Sequence, residues 1–378
     1  MEQSVSEGIM KMSFGNGIGF VSAADIEWHA PMPGAIIAEL TCEVSAPRAA
    51  LLGYTSADGV IALGDDKAEV PELLSINEAV LEDVYPTRAN GEEDIPTFSY
   101  HKPCAIASNV KTAKPRALIP VFPGTNCEYD TARALMEAGG EAKIFVIRNL
   151  TSADVSSSVD AFAKALKAAQ MLILPGGFSG GDEPDGSAKF ITAFLRSPAV
   201  KEQVQALLCE RDGLMLGICN GFQALIKLGL VPYGKILDTD ASFPTLTYNT
   251  IGRHQSGLVR TRVCSVKSPW FSGLNVGEVY TIPISHGEGR FIASRELVDE
   301  LAQKGQIATQ YVDMESRPSM LTAFNPNGSL CAIEGITSPD GRVLGKMGHS
   351  ERIGTNLYKN VPGEFDMKLF GSAVKYFK

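Results

Sequence analysis

The chain has no long hydrophobic run and little positive charge. None of its 378 residues lies in an uncharged apolar stretch that approaches the ~20 residues of a membrane-spanning helix. Its 34 Lys and Arg residues are thinly spread among 43 Asp and Glu residues, for a formal net charge of -9. These absences argue against a membrane partner and against a nucleic-acid partner. Because a basic stretch followed by an apolar one is also missing from the N-terminus, the sequence predicts a cytoplasmic protein.

Paired cysteines are missing as well. No Cys-x-x-Cys pair and no Cys/His cluster with zinc spacing occurs among the seven cysteines, Cys42, Cys104, Cys127, Cys209, Cys219, Cys264 and Cys331. We therefore expect no metal site and no disulfide framework. Most of these cysteines are predicted to be small buried residues. The sequence around Cys219 sets it apart from the others.

The chain has three regions that differ in composition and in hydrophobic pattern. Residues 1–85 contain short alternating runs, such as Ala35–Leu40 and Val60–Leu63, which indicate an antiparallel β layer in a small α+β segment. Residues 86–112 are polar and interrupted by proline, which is typical of a linker. Over 113–378, fully apolar strand runs alternate with helical patterns, and this predicts an α/β fold with an open, doubly wound, mostly parallel sheet. Ligands of such sheets bind at the carboxyl ends of the strands.

The motif Gly217-Ile218-Cys219-Asn220-Gly221 lies between an apolar strand run and a helical pattern. This is the arrangement of a nucleophile elbow, with cysteine at the nucleophile position. Glycines flank the cysteine because side chains there would collide with neighbouring backbone. The helix that starts after Cys219 is expected to favour its thiolate. On this motif alone, a buried cysteine in a tight turn stays an alternative.

A cysteine nucleophile needs a base and a group that orients the base. Of only five histidines, His349 stands two residues before Glu351. If this stretch is extended, the two side chains share a face, and the carboxylate would fix the tautomer of the imidazole. Taken alone, the pair also fits a surface histidine with a chance acidic neighbour.

Two glycines, Gly176 and Gly177, follow another apolar strand run, Met171–Leu174. Glycines let backbone N–H groups approach a ligand closely, so this turn could form an oxyanion hole together with the Asn220 N–H. A flexible connection would show the same glycine density.

Together these motifs resemble the class I, triad-type glutamine amidotransferases. Within that class, the resemblance is closer to the glutaminase part of phosphoribosylformylglycinamidine synthase, and four ordered segments carry it: Phe122–Glu128, Gly177–Asp182, Gly217–Gln223 and His286–Phe291. The resemblance covers about 113–378 and implies a flavodoxin-like sheet. That enzyme uses ATP and glutamine to convert formylglycinamide ribonucleotide to its amidine in purine synthesis.

The resemblance also implies a role for individual residues. Cys219 would be the nucleophile, His349 the base and Glu351 its orienting carboxylate. The backbone N–H groups of Gly177 and Asn220 would hold the oxyanion. Residues that match glutamine-binding positions are Gly176, Phe178, Gln223, Ser285, His286 and Gly287. Many relatives have proline where this chain has Ser350 and tyrosine where it has Gly180. The loops at these two positions could therefore differ in geometry from those of the relatives.

The resemblance implies a partner for the glutaminase, namely a synthetase domain or subunit that receives ammonia. No cofactor is expected in this chain, whereas ATP and Mg²⁺ are expected in the synthetase portion. Residues 1–85 weakly resemble the end of that portion and are too few to hold its ATP and ribonucleotide sites.

Two other functions stay open. A cysteine peptidase or related hydrolase could use a similar elbow, but its histidine usually follows the cysteine closely, and here the next one, His254, is 35 positions away. A non-catalytic regulatory module is the second alternative, although every triad position is filled.

Overall fold

The structure is a computed structural model that describes residues 4–42, 49–84, 86–87, 95–103, 107–179 and 188–378. The chain divides into two compact units, Met1–Thr87 and Arg88–Lys378, and each has its own hydrophobic core. Residues 85, 88–94 and 104–106, at or within the predicted linker, lie outside the described residues, as do Gly180, Gly181 and Asp182. In the part of the chain that the structure describes, no helix is long and apolar enough to cross a membrane.

The smaller unit is an α+β segment, as predicted. It contains helices α1 (Val5–Phe14) and α2 (Val70–Ala79) and strands β1 (Gly19–Ser22), β2 (Gly53–Ser56), β3 (Val60–Leu63) and β4 (Asp66–Glu69). The strands form one sheet in the order β2-β1-β3-β4, in which the outer pairs are antiparallel. The expected antiparallel layer is wrong for the central pair, because β1 and β3 are parallel. The run Ala35–Leu40, expected in a β layer, belongs to no strand. Ile36 of this run is 91% exposed, whereas Ile37 is partly buried against the hydrophobic core of this unit.

In the larger unit, strands and helices alternate along the chain, as predicted. Its helices are α3 (Glu128–Glu137), α4 (Ser152–Lys167), α5 (Lys189–Arg196), α6 (Pro198–Cys209), α7 (Asn220–Lys227), α8 (Leu230–Tyr233), α9 (Arg295–Gln303) and α10 (Leu369–Tyr376), with 3₁₀ turns at Pro269–Phe271 and Leu330–Ala332. Its strands are β5 (Arg116–Val121), β6 (Glu141–Val146), β7 (Met171–Leu174), β8 (Leu214–Ile218), β9 (Thr245–Tyr248), β10 (Gln255–Val263), β11 (Val279–His286), β12 (Glu288–Ile292), β13 (Ile307–Tyr311), β14 (Ile333–Thr337) and β15 (Val343–Lys346).

Nine of these strands form one open sheet in the order β11-β10-β13-β14-β15-β8-β7-β5-β6, and β9 pairs with β12 beside it. Strands β15, β8, β7, β5 and β6 are mutually parallel. The other four strands, β14, β13, β10 and β11, each pair antiparallel with the preceding strand in the sheet order. Strands β13 and β11 therefore run in the same direction as the five parallel strands, so seven of the nine strands share one direction. The predicted mostly parallel α/β sheet is confirmed, and the antiparallel extension adds to it.

The parallel strands place the candidate site. Strands β7, β8 and β15 are buried along their whole length, which requires cover on both faces of the sheet. The chain steps outward from β5 to β6 and then returns to β7 on the other side of β5. Such a reversal opens a crevice at the carboxyl ends of the strands. The loops that follow β5, β7, β8 and β15 therefore lie at the same edge of the sheet.

Candidate active site

Cys219 lies on a strained turn between β8 and α7, as the elbow motif predicted. Its backbone angles are φ 52° and ψ -106°, a region that residues with a side chain rarely occupy. The flanking glycines are needed for steric reasons. A Cβ on Gly217 would lie 2.6 Å from the carbonyl carbon of Gly221, and one on Gly221 would lie 2.0 Å from the Leu174 oxygen.

His349 and Glu351 meet in the loop after β15. The imidazole Nδ1 lies 2.6 Å from Oε1 of Glu351, and the two residues are 1% and 0% exposed. The stretch is a turn rather than the extended segment that we considered, so the pairing comes from the turn itself. Because a carboxylate only accepts hydrogen bonds, Nδ1 carries the proton. The other nitrogen, Nε2, is buried and has no hydrogen-bond partner among the described residues.

Burial favours the thiol form of Cys219 over the thiolate. Burial raises its pKa to about 12, while the Asn220 backbone N–H acts in the opposite direction. The expected preference for thiolate at the start of α7 is therefore outweighed by the loss of solvent around a side chain that is only 3% exposed. The thiol lies 3.6 Å from the Ser285 carbonyl oxygen. A base must take its proton before the sulfur can attack.

The loop after β7 holds Gly176 and Gly177 against the loop after β5. The Phe178 N–H donates to the Gly124 carbonyl at 2.8 Å, and the Asn126 N–H donates to the Gly176 carbonyl at 3.2 Å. Gly177 has φ +149°, and a Cβ there would lie 2.5 Å from the Gly124 oxygen. Among the residues that the structure describes, the Gly177 N–H has no hydrogen-bond acceptor. This N–H has the freedom that an oxyanion donor needs.

A buried hydrogen-bond chain joins this loop to α7. The Ser179 hydroxyl donates to Oδ1 of Asn220 at 2.6 Å, and Nδ2 of Asn220 donates to Oε1 of Gln223 at 2.9 Å. Nε2 of Gln223 then donates to the Glu288 carbonyl at 2.6 Å. Gln223, expected to bind glutamine, thus uses both ends of its side-chain amide within the protein. The chain ties Asn220 to Ser179, two residues after Gly177, and so joins the two loops that carry the expected oxyanion donors.

The C-terminal end of β11 lies beside the elbow. Asn249 holds it in place, because its Oδ1 accepts from Nδ1 of His286 at 3.1 Å and its Nδ2 donates to the His286 carbonyl at 2.8 Å. Its N–H also donates to the Gly287 carbonyl at 2.9 Å. Burial lowers the pKa of His286 to about 3, with smaller contributions from the charges of His349 and His254. His286 is therefore neutral.

The side chains of Ser285 and Phe178 both lie beside His254. Nε2 of His254 is 3.0 Å from the Ser285 hydroxyl, and the His254 and Phe178 rings are 5.7 Å apart. The predicted site residues thus all lie at or just after the ends of β7, β8, β11 and β15, and the Ser285 carbonyl oxygen is the one that lies 3.6 Å from the Cys219 sulfur. Their roles in binding glutamine stay predictions.

Two further residues contact the His349–Glu351 pair. The Cys127 sulfur lies 3.8 Å from Nδ1 of His349, and the Arg352 guanidinium donates to that sulfur at 3.2 Å. Burial raises the pKa of Cys127 to about 11. Sequence reasoning assigned no role to either residue, although Arg352 directly follows Glu351 and Cys127 belongs to the Phe122–Glu128 motif.

The donor atoms of Cys127, His349 and Glu351 lie within 4.8 Å of one another, close enough to bind one metal ion. However, His349 and Glu351 are hydrogen-bonded to each other. The Arg352 guanidinium beside the sulfur would also repel a cation. We therefore assign no metal to this cluster.

Comparison with known sequences places the larger unit in a family. The family described as CobB/CobQ-like glutamine amidotransferase domain matches residues 114–377. The phosphoribosylformylglycinamidine synthase subunit PurQ of Treponema denticola is 37% identical over 252 residues, which cover 63% of this chain and 88% of that protein. The subunit of the same name from Symbiobacterium thermophilum is 33% identical over 261 residues, which cover 68% of this chain and 95% of that protein.

A solved structure agrees with these sequence relatives. The structure of PurLQS from Thermotoga maritima contains a chain that superposes with a TM-score of 0.50 at 29% identity, covering 70% of this chain and 100% of that chain. The chain therefore belongs to the CobB/CobQ-like glutamine amidotransferase family, and it is a glutamine amidotransferase related to the PurQ subunits of phosphoribosylformylglycinamidine synthase.

Proposed function

We propose that this chain provides the glutaminase activity of phosphoribosylformylglycinamidine synthase. In this proposal, residues 113–378 hydrolyse the side-chain amide of glutamine and supply ammonia for the ATP-dependent amidination of formylglycinamide ribonucleotide. The observation that carries the proposal is the strained Cys219 at the end of β8, with a buried His349–Glu351 pair in the loop after the neighbouring parallel strand β15. The PurQ names of the relatives support the choice of pathway.

The first half-reaction forms a glutamyl thioester. Nε2 of His349 accepts the thiol proton, and the Cys219 sulfur attacks the amide carbon of glutamine. This step needs the thiol to turn from the Ser285 carbonyl toward Nε2, which has no other hydrogen-bond partner among the residues described. As the carbon–nitrogen bond breaks, His349 returns the proton to the departing nitrogen and ammonia is released.

The second half-reaction restores the enzyme. Nε2 of His349 takes a proton from water, and the resulting hydroxide attacks the thioester carbon. The carbon–sulfur bond breaks, glutamate leaves, and the proton returns from His349 to Cys219. Glu351 stays ionised and keeps Nδ1 protonated, so that Nε2 is the atom that exchanges protons.

The negative oxygen in both tetrahedral intermediates needs hydrogen-bond donors. We assign this role to the N–H groups of Gly177 and Asn220, which the Ser179–Asn220–Gln223 chain keeps in register. One such donor is typically worth roughly 10²–10³ in rate.

Ammonia has to reach a synthetase partner before water protonates it, so we propose a protected passage between the two. ATP and Mg²⁺ would bind to the synthetase portion, and no step in this chain uses them. The relatives that are named as subunits support a partner of this kind.

The test is the release of ammonia and glutamate from glutamine by the full chain, with and without an added synthetase portion. Cys219→Ala should abolish it, while Cys209→Ala, at an exposed position on α6, should leave it unchanged. Glutamate release that survives in Cys219→Ala would rule the assignment out. Hydrolysis of peptides in place of glutamine would instead favour a cysteine peptidase.

A further inference from the structure

A buried ion pair lies beneath the turn that carries His349. Nζ of Lys346, the last residue of β15, is 3.1 Å from Oε1 of Glu334 on the neighbouring β14, and both side chains are 0% exposed. The Thr309 hydroxyl, on β13, donates to the other carboxylate oxygen of Glu334. Ions buried this deeply need partners for most of their polar atoms. The surrounding contacts show which partners these ions have.

Both members of the pair bind the residue before His349. Oε1 of Glu334 accepts from the Gly348 N–H at 2.6 Å, and Nζ of Lys346 donates to the Gly348 carbonyl at 2.9 Å. The N–H and the C=O of Gly348 are thus both held by ionised side chains, in charge-assisted hydrogen bonds. A Cβ on Gly348 would lie 3.0 Å from Oε1 of Glu334 and 3.1 Å from Nζ of Lys346, so glycine allows this close contact.

The same lysine also contacts the nucleophile residue. Its backbone carbonyl accepts from the Cys219 N–H at 2.9 Å, and the parallel pairing of β15 with β8 aligns Lys346 with Ile218. Lys346 therefore contacts the Cys219 turn through its backbone and the His349 turn through its side chain. The His349 N–H is held separately by the Pro283 carbonyl at 2.9 Å.

We propose that Lys346 and Glu334 are positioning residues that set the place of His349 relative to Cys219. They touch neither the thiol nor the imidazole and act through the Gly348 peptide groups. The effect on rate rests on the proposed glutaminase function. The effect on the conformation of the His349 turn does not depend on it.

The decisive variant is the double substitution Lys346→Met with Glu334→Gln, which removes both charges and keeps the side-chain volumes. We expect kcat for glutamine hydrolysis to fall about 10- to 100-fold with KM nearly unchanged, because a small displacement of a catalytic group is enough for such a loss. Arg342→Met is the matched control. Arg342 directly precedes the same strand, pairs with Asp340 and Asp212, and its replacement should leave kcat unchanged.

A proton NMR measurement tests the turn without any turnover. The Nδ1 proton of His349, in its hydrogen bond to Glu351, should give a low-field resonance, assigned by its loss in Glu351→Gln. We expect this resonance to disappear or shift in the double variant and to persist in Arg342→Met. If wild-type enzyme supplied with synthetase fails to hydrolyse glutamine, the proposed function fails, and the resonance still decides the positioning claim.

The inference is overturned if the folded double variant has the wild-type kcat. If glutamine hydrolysis cannot be measured, an unshifted His349 resonance in the double variant overturns it instead. If the double variant does not fold, Glu334→Gln alone replaces it, because it keeps every heavy-atom position of the side chain. The same fall in kcat at constant KM is expected there, and an unchanged kcat would overturn the inference equally.

Discussion

Nδ1 of His349 donates to Oε1 of Glu351 across 2.6 Å, although both residues are almost completely buried. Burial alone would raise the pKa of Glu351, but the charge and hydrogen bond of His349, with smaller help from Arg352, hold it below its usual value. Glu351 is therefore an ionised acceptor. Its carboxylate selects the imidazole tautomer in which Nε2 is free to act as a base.

Glu351→Gln tests this selection. The amide keeps the shape of the side chain but can donate to Nδ1, which favours the wrong tautomer of His349. We expect kcat for glutamine hydrolysis to fall roughly 10³–10⁴-fold. Steady-state kinetics measure it, with Glu141→Gln, a half-exposed partner of Arg116, as the control. A loss of less than about tenfold would mean that the carboxylate does not orient the base.

Gly176→Ala tests how tightly the loop after β7 packs against the base. The added methyl group would lie 2.6 Å from Cε1 of His349 and 3.2 Å from the Cys127 sulfur, so the imidazole has to move. We expect kcat to fall about 100-fold. Gly257→Ala, where a methyl group meets open space, is the control. Equal kcat in the two variants would contradict a tight contact between Gly176 and His349.

The local parts of the site could be predicted from sequence because their causes are local. The strained turn at Cys219 is indicated by two glycines, Gly217 and Gly221, because a side chain at either position would overlap neighbouring backbone. The parallel strands β7 and β8 follow from apolar runs that only a sheet covered on both faces can bury. These features need no knowledge of distant residues.

Contacts between distant segments could not be predicted in the same way. No local sequence signal indicates that Lys346 is buried, and its ion-pair partner Glu334 lies on the neighbouring strand β14. The antiparallel pairing of β10 with β11 likewise depends on register between separate segments. The elbow motif reveals the helix start beside Cys219 but not the depth of burial that raises its pKa to about 12.

Ser179→Ala tests the hydrogen-bond chain that joins the loop after β7 to α7. The substitution removes the hydroxyl that donates to Oδ1 of Asn220. We expect about 1–2 kcal/mol less stability toward urea and a roughly tenfold lower kcat, because the Gly177 N–H is held less firmly.

Ser108→Ala is the matched control for Ser179→Ala. Ser108 is 1% exposed, and its hydroxyl accepts from the Val110 N–H at 3.0 Å. This variant should lose comparable stability without losing kcat. If the two variants show the same kcat, the chain through Asn220 has no part in catalysis.

The buried thiols make the stability of the larger unit depend on alkaline pH. Burial raises the pKa of Cys264 from an ordinary value of 9.0 to about 12. Above the ordinary value, the unfolded chain loses this proton while the folded chain keeps it. The stabilisation is therefore complete below about pH 9 and is lost as pH rises toward about 12, at about 1.4 kcal/mol per pH unit for each such thiol.

Cys264→Ala should make the urea-unfolding free energy fall less steeply between about pH 9 and about pH 11 than it does in the wild type. The intercept also changes, because the substitution alters packing, so the slope is the quantity to compare. Cys209→Ala, at an exposed position, should keep the wild-type slope. If the Cys264→Ala and wild-type lines are parallel, the Cys264 thiol does not contribute to the alkaline loss of stability, since its removal would then leave the difference in bound protons unchanged.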